Sequence, residues 1–278
     1  MNKPLISVII PAHNCATTID TAILSILNQT YKNIEIIIVD DNSIDNTEEV
    51  TKKYTSNYNN VFYYKLPYKD INRFNKKGRN INAGYSARNY GLEKATGEWI
   101  TFQDADDASL RNRIEIQLEL ALKYNVNHLC TEWQQYKHGL ENTKLNIDNY
   151  IENLEDLMVD IDTIIKLAKK TKGIFLKLFP NLTSQIPLEY RQLRVVNKLF
   201  WGSLDSYPGS GNSPLFKREV IEKVQFRAFK DREWPSFTGR GADRDFNFKV
   251  AETFKNSIVF KIPLYLWRVE RQNDINIK

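Results

Sequence analysis

Three short, largely apolar runs, Leu5 to Pro11, Ile34 to Val39 and Val61 to Leu66, are separated by stretches of helical spacing. This alternation constrains the fold more than any other feature of the chain. A short apolar run without alternating polar positions is a strand covered on both faces. After the first run, Thr17 and Thr18 offer an N-cap, and Ile19, Ala22, Ile23, Ile26 and Leu27 recur at helical spacing. After the second, Asn46 and Thr47 open a helix reaching about Tyr54. Strand, helix, strand, helix, strand calls for a parallel sheet flanked by helices, an α/β protein.

The same reading continues along the chain. Ala83 to Ala95 predicts a helix, Trp99 to Phe102 a fourth strand, Ser109 a cap for a helix ending near Tyr124, and Asn127 to Trp133 a further strand. From about Asn142 to Leu182 the pattern changes. Ile151, Leu154, Leu157, Met158, Ile161, Ile164, Ile165 and Ala168 form one helical stripe, and Lys169, Lys170 and Lys172 decorate its end, where cations suit the helix dipole. Ser213 to Phe216 resembles a short strand, Lys217 to Val224 and Asp243 to Phe254 read as helices, and Val259 to Leu266 as a last strand.

In an open α/β sheet ligands collect at the carboxyl ends of the strands, where strand order reverses. Here those ends carry Pro11-Ala12-His13-Asn14, Asp40-Asp41-Asn42-Ser43 and Gln103-Asp104-Ala105-Asp106-Asp107. Neither a GxGxxG nor a P-loop follows the first strand, which argues against the ordinary dinucleotide and ATP cradles. Asp104, Asp106 and Asp107 crowd like charges, which repel unless a cation joins them. Oxygen ligands of this kind suit Mg²⁺ or Mn²⁺, ions that bridge carboxylates to a substrate's phosphates. The competing reading is an acidic turn capping the next helix, with Asp107 and Ser109 as the capping residues. Lys69, Arg73, Lys76, Lys77 and Arg79 make the loop before Asn82 basic: a solvated loop, or one facing phosphate.

Bulk properties exclude several classes. The net charge of +5, from 39 basic and 34 acidic residues, is mild, and points to anionic small molecules or surfaces rather than nucleic acid. Cys15 and Cys130 have no metal spacing and make no disulfide framework, so a reduced compartment is expected. The first apolar run, interrupted by Pro11 and His13, is too short for a signal peptide, and no window approaches the ~20 apolar residues of a membrane span. His13, His128 and His138 form no triad and no zinc constellation.

Four ordered stretches, Ile6 to Asn14, Ile38 to Asp45, Asn82 to Asn89 and Gly97 to Asp107, resemble the family-2 inverting glycosyltransferases of GT-A fold. The likeness runs in register from about residue 5 to 125, and resumes more loosely at 213–220 and 239–250. It implies a GT-A α/β fold with a mostly parallel central sheet and a helical acceptor-side insertion. The chain is then expected to be one catalytic domain across 1–278. Residues 1–125 would form the nucleotide-sugar half, and 126–278 the acceptor half with the insertion at about 142–212. The resemblance gives Asp41 the reading of the nucleotide base, uracil in a UDP-sugar, with Pro11 and Ala12 lining it, Asp40 supporting, and His13 and Asn14 in the same donor loop. It makes Arg88 a nucleotide or diphosphate contact, puts Asp104 near the ribose with Ala105 beside it, and makes Asp104 and Asp106 the metal pair for Mg²⁺ or Mn²⁺.

By the same resemblance Asp243 is the general base that a poorly nucleophilic sugar hydroxyl requires, with Asp245 as competitor. The chain departs from the family pattern at Ala242, where an acid is usual, and carries no histidine near Leu266 to Arg271, where Arg268 or Arg271 is left to offset diphosphate charge. Trp201 and Trp234 are candidates for stacking on acceptor sugars, although aromatic residues are more often core. His128 reads as a satisfied core residue. Lysines mixed with aromatics from Lys166 to Phe179 suit either ordinary packing or peripheral contact with an anionic membrane bearing a lipid-linked acceptor. The expected partners are thus a UDP-linked donor and a glycan or lipid-linked glycan acceptor, in the cytoplasm at the inner membrane face. Two rivals stand beside this reading: a catalytically inactive sugar-nucleotide or glycan-binding module, and a nucleotidyltransferase of related fold.

Overall fold

The computed structural model describes residues 3–70, 73–74, 80–179, 190, 196, 199–200, 202–203, 205–234 and 241–269. Its first half follows the sequence pattern closely. β1 (Ile6–Ala12), α1 (Ile19–Leu27), β2 (Ile34–Asp40), α2 (Thr47–Asn57), β3 (Val61–Lys65), α3 (Tyr85–Lys94) and β4 (Trp99–Phe102) succeed one another. β1 pairs in parallel with β2 on one side and β4 on the other, and β2 pairs in parallel with β3. Strand order therefore reverses at β1, and the crevice forms beyond the ends of β1 and β4. Alternate β1 residues go to opposite layers. Ile6, Val8 and Ile10 pack with Ile19, Ile23 and Ile26 of α1, whereas Ile9 packs with Ala87 and Leu92 of α3. Each fully buried isoleucine stabilises the sheet by about 1.5–3 kcal/mol.

In the second half β5 (Ala108–Ser109), α4 (Arg113–Lys123), β6 (His128–Gln135), α5 (Asp148–Ile151), β7 (Met158–Val159), α6 (Ile161–Thr171), α7 (Ile174–Leu178), β8 (Leu215–Lys217), α8 (Ala242–Phe254) and β9 (Ser257–Trp267) complete the described elements. There β8 and the short β5 and β7 run against the sheet, while β6 and β9 keep the direction of the first four strands. Among the described residues one nine-stranded sheet runs β3-β2-β1-β4-β8-β6-β9-β5, with β7 on β9. β8 lies antiparallel to both β4 and β6, so it joins the parallel half to the second half. β9 closes the sheet against β6, and its far end returns to β5 beside the acidic loop.

Several local expectations change. The single helical stripe from Ile151 to Ala168 is broken, because Met158 and Val159 pair with Val259 and Phe260 as a strand; a free sheet edge outweighs helical periodicity there. Ser109 does not cap α4. It lies in β5, and its hydroxyl donates to Gln103 Oε1 at 2.6 Å. Residues 218–222 form a 3₁₀ turn rather than an α-helix. None of the described helices is long and apolar enough to cross a membrane.

Candidate functional site

At the ends of β1 and β2 the chain is held by its own side chains. Asn14 and Asn42 adopt left-handed backbone conformations, φ 51° and 55°, which asparagine tolerates better than most residues. Asn14 Oδ1 accepts from Ile44 N at 2.8 Å, and Asn14 N donates to Ser43 Oγ at 2.9 Å, so the two loops are stitched together. His13 Nδ1–H donates to Asp41 O at 2.7 Å. Asp40 is committed to the scaffold: its carboxylate accepts from Ser43 N and from Tyr63 OH, both at 2.8 Å. Asp41 turns the other way and forms an ion pair with Arg73, with both side chains largely buried. Arg73 thus leaves the solvated loop that composition suggests; Lys76, Lys77 and Arg79 lie outside the described residues.

Beyond β4, the oxygens of Asp104, Asp106 and Asp107 lie within 4.8 Å of one another. Each end of the cluster is anchored. Arg88 Nη2 donates to Asp104 Oδ1 at 2.5 Å, and Asn212 Nδ2 donates to Asp104 Oδ2 at 3.0 Å. Tyr265 OH donates to Asp107 Oδ2 at 3.0 Å and accepts from Asp104 N at 3.2 Å, while Arg268 N donates to Asp107 Oδ1 at 2.8 Å. Asp107 is therefore a structural member of the cluster and not a helix cap. Its carboxyl is pushed up to about 8 by burial and by the charges of Asp106 and Asp104. Arg88 is only 5% exposed, packed against the rings of Phe102 and Phe226, so it is no surface arginine. Gly84, at φ +71°, makes this possible: a Cβ there would lie 2.9 Å from Arg88 Nη1 and 3.6 Å from Pro11 Cβ. Ala12 and Ala105 are buried behind the same loops.

The first turn of α8 carries two acids with opposite fates. Asp245 is 1% exposed and fully engaged. It accepts from Arg227 Nε at 2.8 Å and Nη2 at 2.7 Å, and from the backbone N–H groups of Glu233 and Trp234 at 2.8 and 3.0 Å. Asp243 is half-buried, and its carboxylate has no hydrogen bond or ion pair among the described residues. Its backbone carbonyl accepts from Asn247 Nδ2 at 2.8 Å, and the same amide donates to Gly211 O at 2.6 Å. His128, fully buried, bonds Asn247 Oδ1 at 2.8 Å, and burial pushes its imidazole down to about 4.

The structure therefore brings Asp104, Asp106, Arg88 and the Gly211–Asn212 loop together, and brings that loop against Asp243. It withdraws Trp234 from sugar stacking: this side chain is fully buried, its Nε1 donates to Ala168 O at 2.9 Å, and Lys172 sits over its ring. Trp201, Glu270 and Arg271, with Gly239 and Arg240, lie outside the described residues. Arg268 reaches the cluster, where its Nε donates to Asp106 O at 3.0 Å. Sequence reading missed Asn212, Tyr265, Asn247 and Arg227. Each is a common polar residue with no spacing signal, placed by contacts far along the chain.

Comparison with known proteins bears on family and fold. The profile of Glycosyl transferase family 2 matches residues 7–183. An uncharacterized glycosyltransferase of Haemophilus influenzae is 34% identical over 187 residues, 66% of this chain and 68% of that protein. The UDP-Glc:alpha-D-GlcNAc-diphosphoundecaprenol beta-1,3-glucosyltransferase WfgD of Escherichia coli is 32% identical over 134 residues, 48% of this chain and 47% of its own length. Among solved structures, residues 1–349 of TarS from S. aureus in complex with UDP superpose at TM-score 0.58, with 16% identity, covering 96% of this chain and 61% of that one. The mannosyltransferase PcManGT of Pyrobaculum calidifontis, in complex with GDP-Man and Mn²⁺, gives TM-score 0.55 at 16% identity, covering 98% and 59%. At such identity these structures speak to the fold, which is GT-A.

Proposed function

The chain belongs to glycosyl transferase family 2, and from that premise we propose that it moves a sugar from a nucleoside-diphosphate donor, UDP-linked, to a hydroxyl of a glycan or lipid-linked glycan, with inversion at the anomeric carbon. The observation that carries this reading is the juxtaposition of two acidic centres across one short loop: the Asp104–Asp106–Asp107 cluster contacted by Asn212, and Asp243, whose carboxylate has no hydrogen bond among the described residues and whose backbone shares the Asn247 amide with Gly211.

The donor set suits a divalent cation. Its ligands are hard carboxylate oxygens, three acids whose oxygens lie within 4.8 Å of one another. Asp104 and Asp106 would hold Mg²⁺ or Mn²⁺, which when bound supplies Lewis-acid stabilisation of a departing diphosphate. Complexes of a GT-A neighbour with GDP-Man and Mn²⁺ support the assignment. Asp41 accepts the imide N–H of a uracil, and Arg73, already on that carboxylate, is the cation the base must share it with. Pro11, Ala12, His13 and Asn14 form the wall on which the base rests, and Asp40 holds that wall in place. Arg88 keeps Asp104 oriented.

At the other wall Asp243 takes the proton of the acceptor hydroxyl. The hydroxyl oxygen bonds the anomeric carbon as the bond from that carbon to the diphosphate breaks, and the electron pair leaves with the nucleoside diphosphate. One displacement inverts configuration. Against Asp245 as base stand its burial and its four donors, three on Oδ1 and the Arg227 Nε on Oδ2. The name of the E. coli relative, which acts on a diphosphoundecaprenol-linked sugar, supports a lipid-linked acceptor. So does the exposure of Ile174, Leu178 and Phe179 beside Lys177 on α7, a surface suited to an anionic bilayer at its cytoplasmic face. The test is product analysis with Mn²⁺ and a panel of UDP- and GDP-sugars. Release of nucleoside diphosphate supports transfer, and release of nucleoside monophosphate or pyrophosphate overturns it.

A further inference from the structure

We infer that Gly211 is a specificity-determining residue: by lacking a side chain it keeps open the gap through which an alcohol, rather than water alone, reaches Asp243. The inference deepens the reading of Asp243 as base and rests on it.

The loop Gly209–Ser213 is held so tightly that its position is a fixed property of the fold. Gly209 has φ +78°, and a Cβ there would lie 2.8 Å from both Thr131 O and Val259 Cγ1. Ser210 N donates to Thr131 O at 2.6 Å, and Ser210 Oγ donates to Asn212 Oδ1 at 2.7 Å. Gln117 Nε2 donates to Ser213 O at 3.0 Å. Asn212 is thereby aimed at Asp104, one residue after Gly211 gives its carbonyl to Asn247 at 2.6 Å. The clamp leaves the loop nowhere to retreat.

What Gly211 faces follows from its Cα. A Cβ built there would lie 3.2 Å from Asn247 Nδ2 and 3.6 Å from Asp243 Oδ2. Its φ lies outside the left-handed region, so backbone strain does not demand glycine. A Cβ would press on the Asn247 amide and come into van der Waals contact with the Asp243 carboxylate, and a larger side chain would cover more of it. Water is small enough to pass such an obstruction. A secondary carbinol carrying a sugar ring is not, and a displacement of its oxygen by about 1 Å costs on the order of 10²-fold in rate.

The test compares glycosyl transfer with donor hydrolysis in wild type, Gly211→Ala, Asp243→Glu and Asp243→Asn. It uses Mn²⁺ and the UDP-sugar and alkyl GlcNAc diphosphate or free glycan that wild type turns over fastest. Asp243→Glu fills the same gap from the opposite wall and does not depend on how Gly211→Ala folds. Binding of UDP with Mn²⁺, read by thermal shift, controls for an intact donor site. Gly211→Ala and Asp243→Glu should each lower transfer about tenfold or more, with hydrolysis lowered much less and the UDP shift unchanged. A wild-type ratio of transfer to hydrolysis in both variants overturns the inference, as does an equal fall in the two activities. Should Asp243→Asn keep full transfer, the base assignment itself is wrong. If Asp243→Asn abolishes transfer while the other two keep the wild-type ratio, only the role of Gly211 falls.

Discussion

Asp40 and Asp41 end a strand; Asp243 and Asp245 begin a helix; and in each pair one acid is fixed by scaffold donors, while of the other two Asp41 is buried against Arg73 and Asp243 is half-buried. Asp40 is held by Ser43, three residues on in its own turn, and by Tyr63 on the neighbouring strand β3. Asp245 is held by Arg227 and by the N–H groups of Glu233 and Trp234. The difference lies in how each anchor is built. On the nucleotide side, parallel strands deliver polar loops directly to the crevice, and neutral hydrogen-bond donors suffice. On the base side, the supporting network is ionic and buried: Arg227 bridges Asp245 and Glu233, and Glu233 also takes Lys172 from the end of α6. Glu233 is accordingly pulled down to about 2, where the nearby Arg227 and Lys172 charges outweigh its burial. The helix bearing Asp243 therefore depends on α6 and on segment 227–234, whereas Asp41 is held by its ion pair with Arg73 and by backbone contacts to His13 and Ala12.

The largest effect expected from breaking this comparison is kinetic. Asp243→Asn should lower transfer by about 10²–10⁴-fold, the range of a lost general base, with UDP binding unchanged by calorimetry. Asp245→Ala should act on stability instead. Removing Asp245 leaves Arg227 with Glu233 alone and strips the Glu233 and Trp234 N–H groups of their acceptor; the cost should be about 3–5 kcal/mol, visible as a lower denaturant midpoint, and a loss below about 1 kcal/mol would show the network to be incidental.

A pH dependence sharpens the same contrast. His128 braces Asn247 and is held neutral, its value lowered from 6.5 to about 4 by burial. The unfolded chain takes up its proton first, so this contribution is complete above pH 6.5 and is lost as pH falls toward 4. The loss amounts to about 3 kcal/mol. Urea melts at pH 7 and pH 4.5, where most but not all of this is lost, should separate by about 2 kcal/mol more in wild type than in His128→Gln; equal separations would refute it. On the nucleotide side the matching change is small. Tyr63→Phe removes one donor to Asp40 and should cost about 1 kcal/mol, with little effect on turnover.

These two architectures also explain what could be read from sequence. The β1, β2 and β4 ends were legible because an apolar run stops abruptly at polar residues, and a buried parallel strand permits no other reading of Ile34 to Asp40. The acids at 104, 106 and 107 were legible as a group because like charges rarely cluster without cause. Asn212, Asn247 and Arg227 were not. Asn212 meets Asp104 across 108 positions and His128 meets Asn247 across 119, and no local periodicity records such pairings. Met158 and Val159 misled for the related reason that a sheet edge supplied from Val259 and Phe260 overrides helical spacing. Trp234, a candidate sugar platform by residue type, became core once Ala168 O captured its indole N–H.

The central claim is that Asp104 and Asp106 hold a divalent cation against the diphosphate of a nucleotide seated beside Asp41. The most direct measurement is the melting temperature of wild type and Asp106→Ala with UDP, with Mn²⁺, and with both. A ligand at a hundredfold its dissociation constant stabilises by about 2.7 kcal/mol. The account predicts that UDP and Mn²⁺ together raise the wild-type melting temperature by more than the sum of the two alone, and that Asp106→Ala abolishes this excess. Additive shifts in wild type, or an excess of the same size in Asp106→Ala, would contradict it.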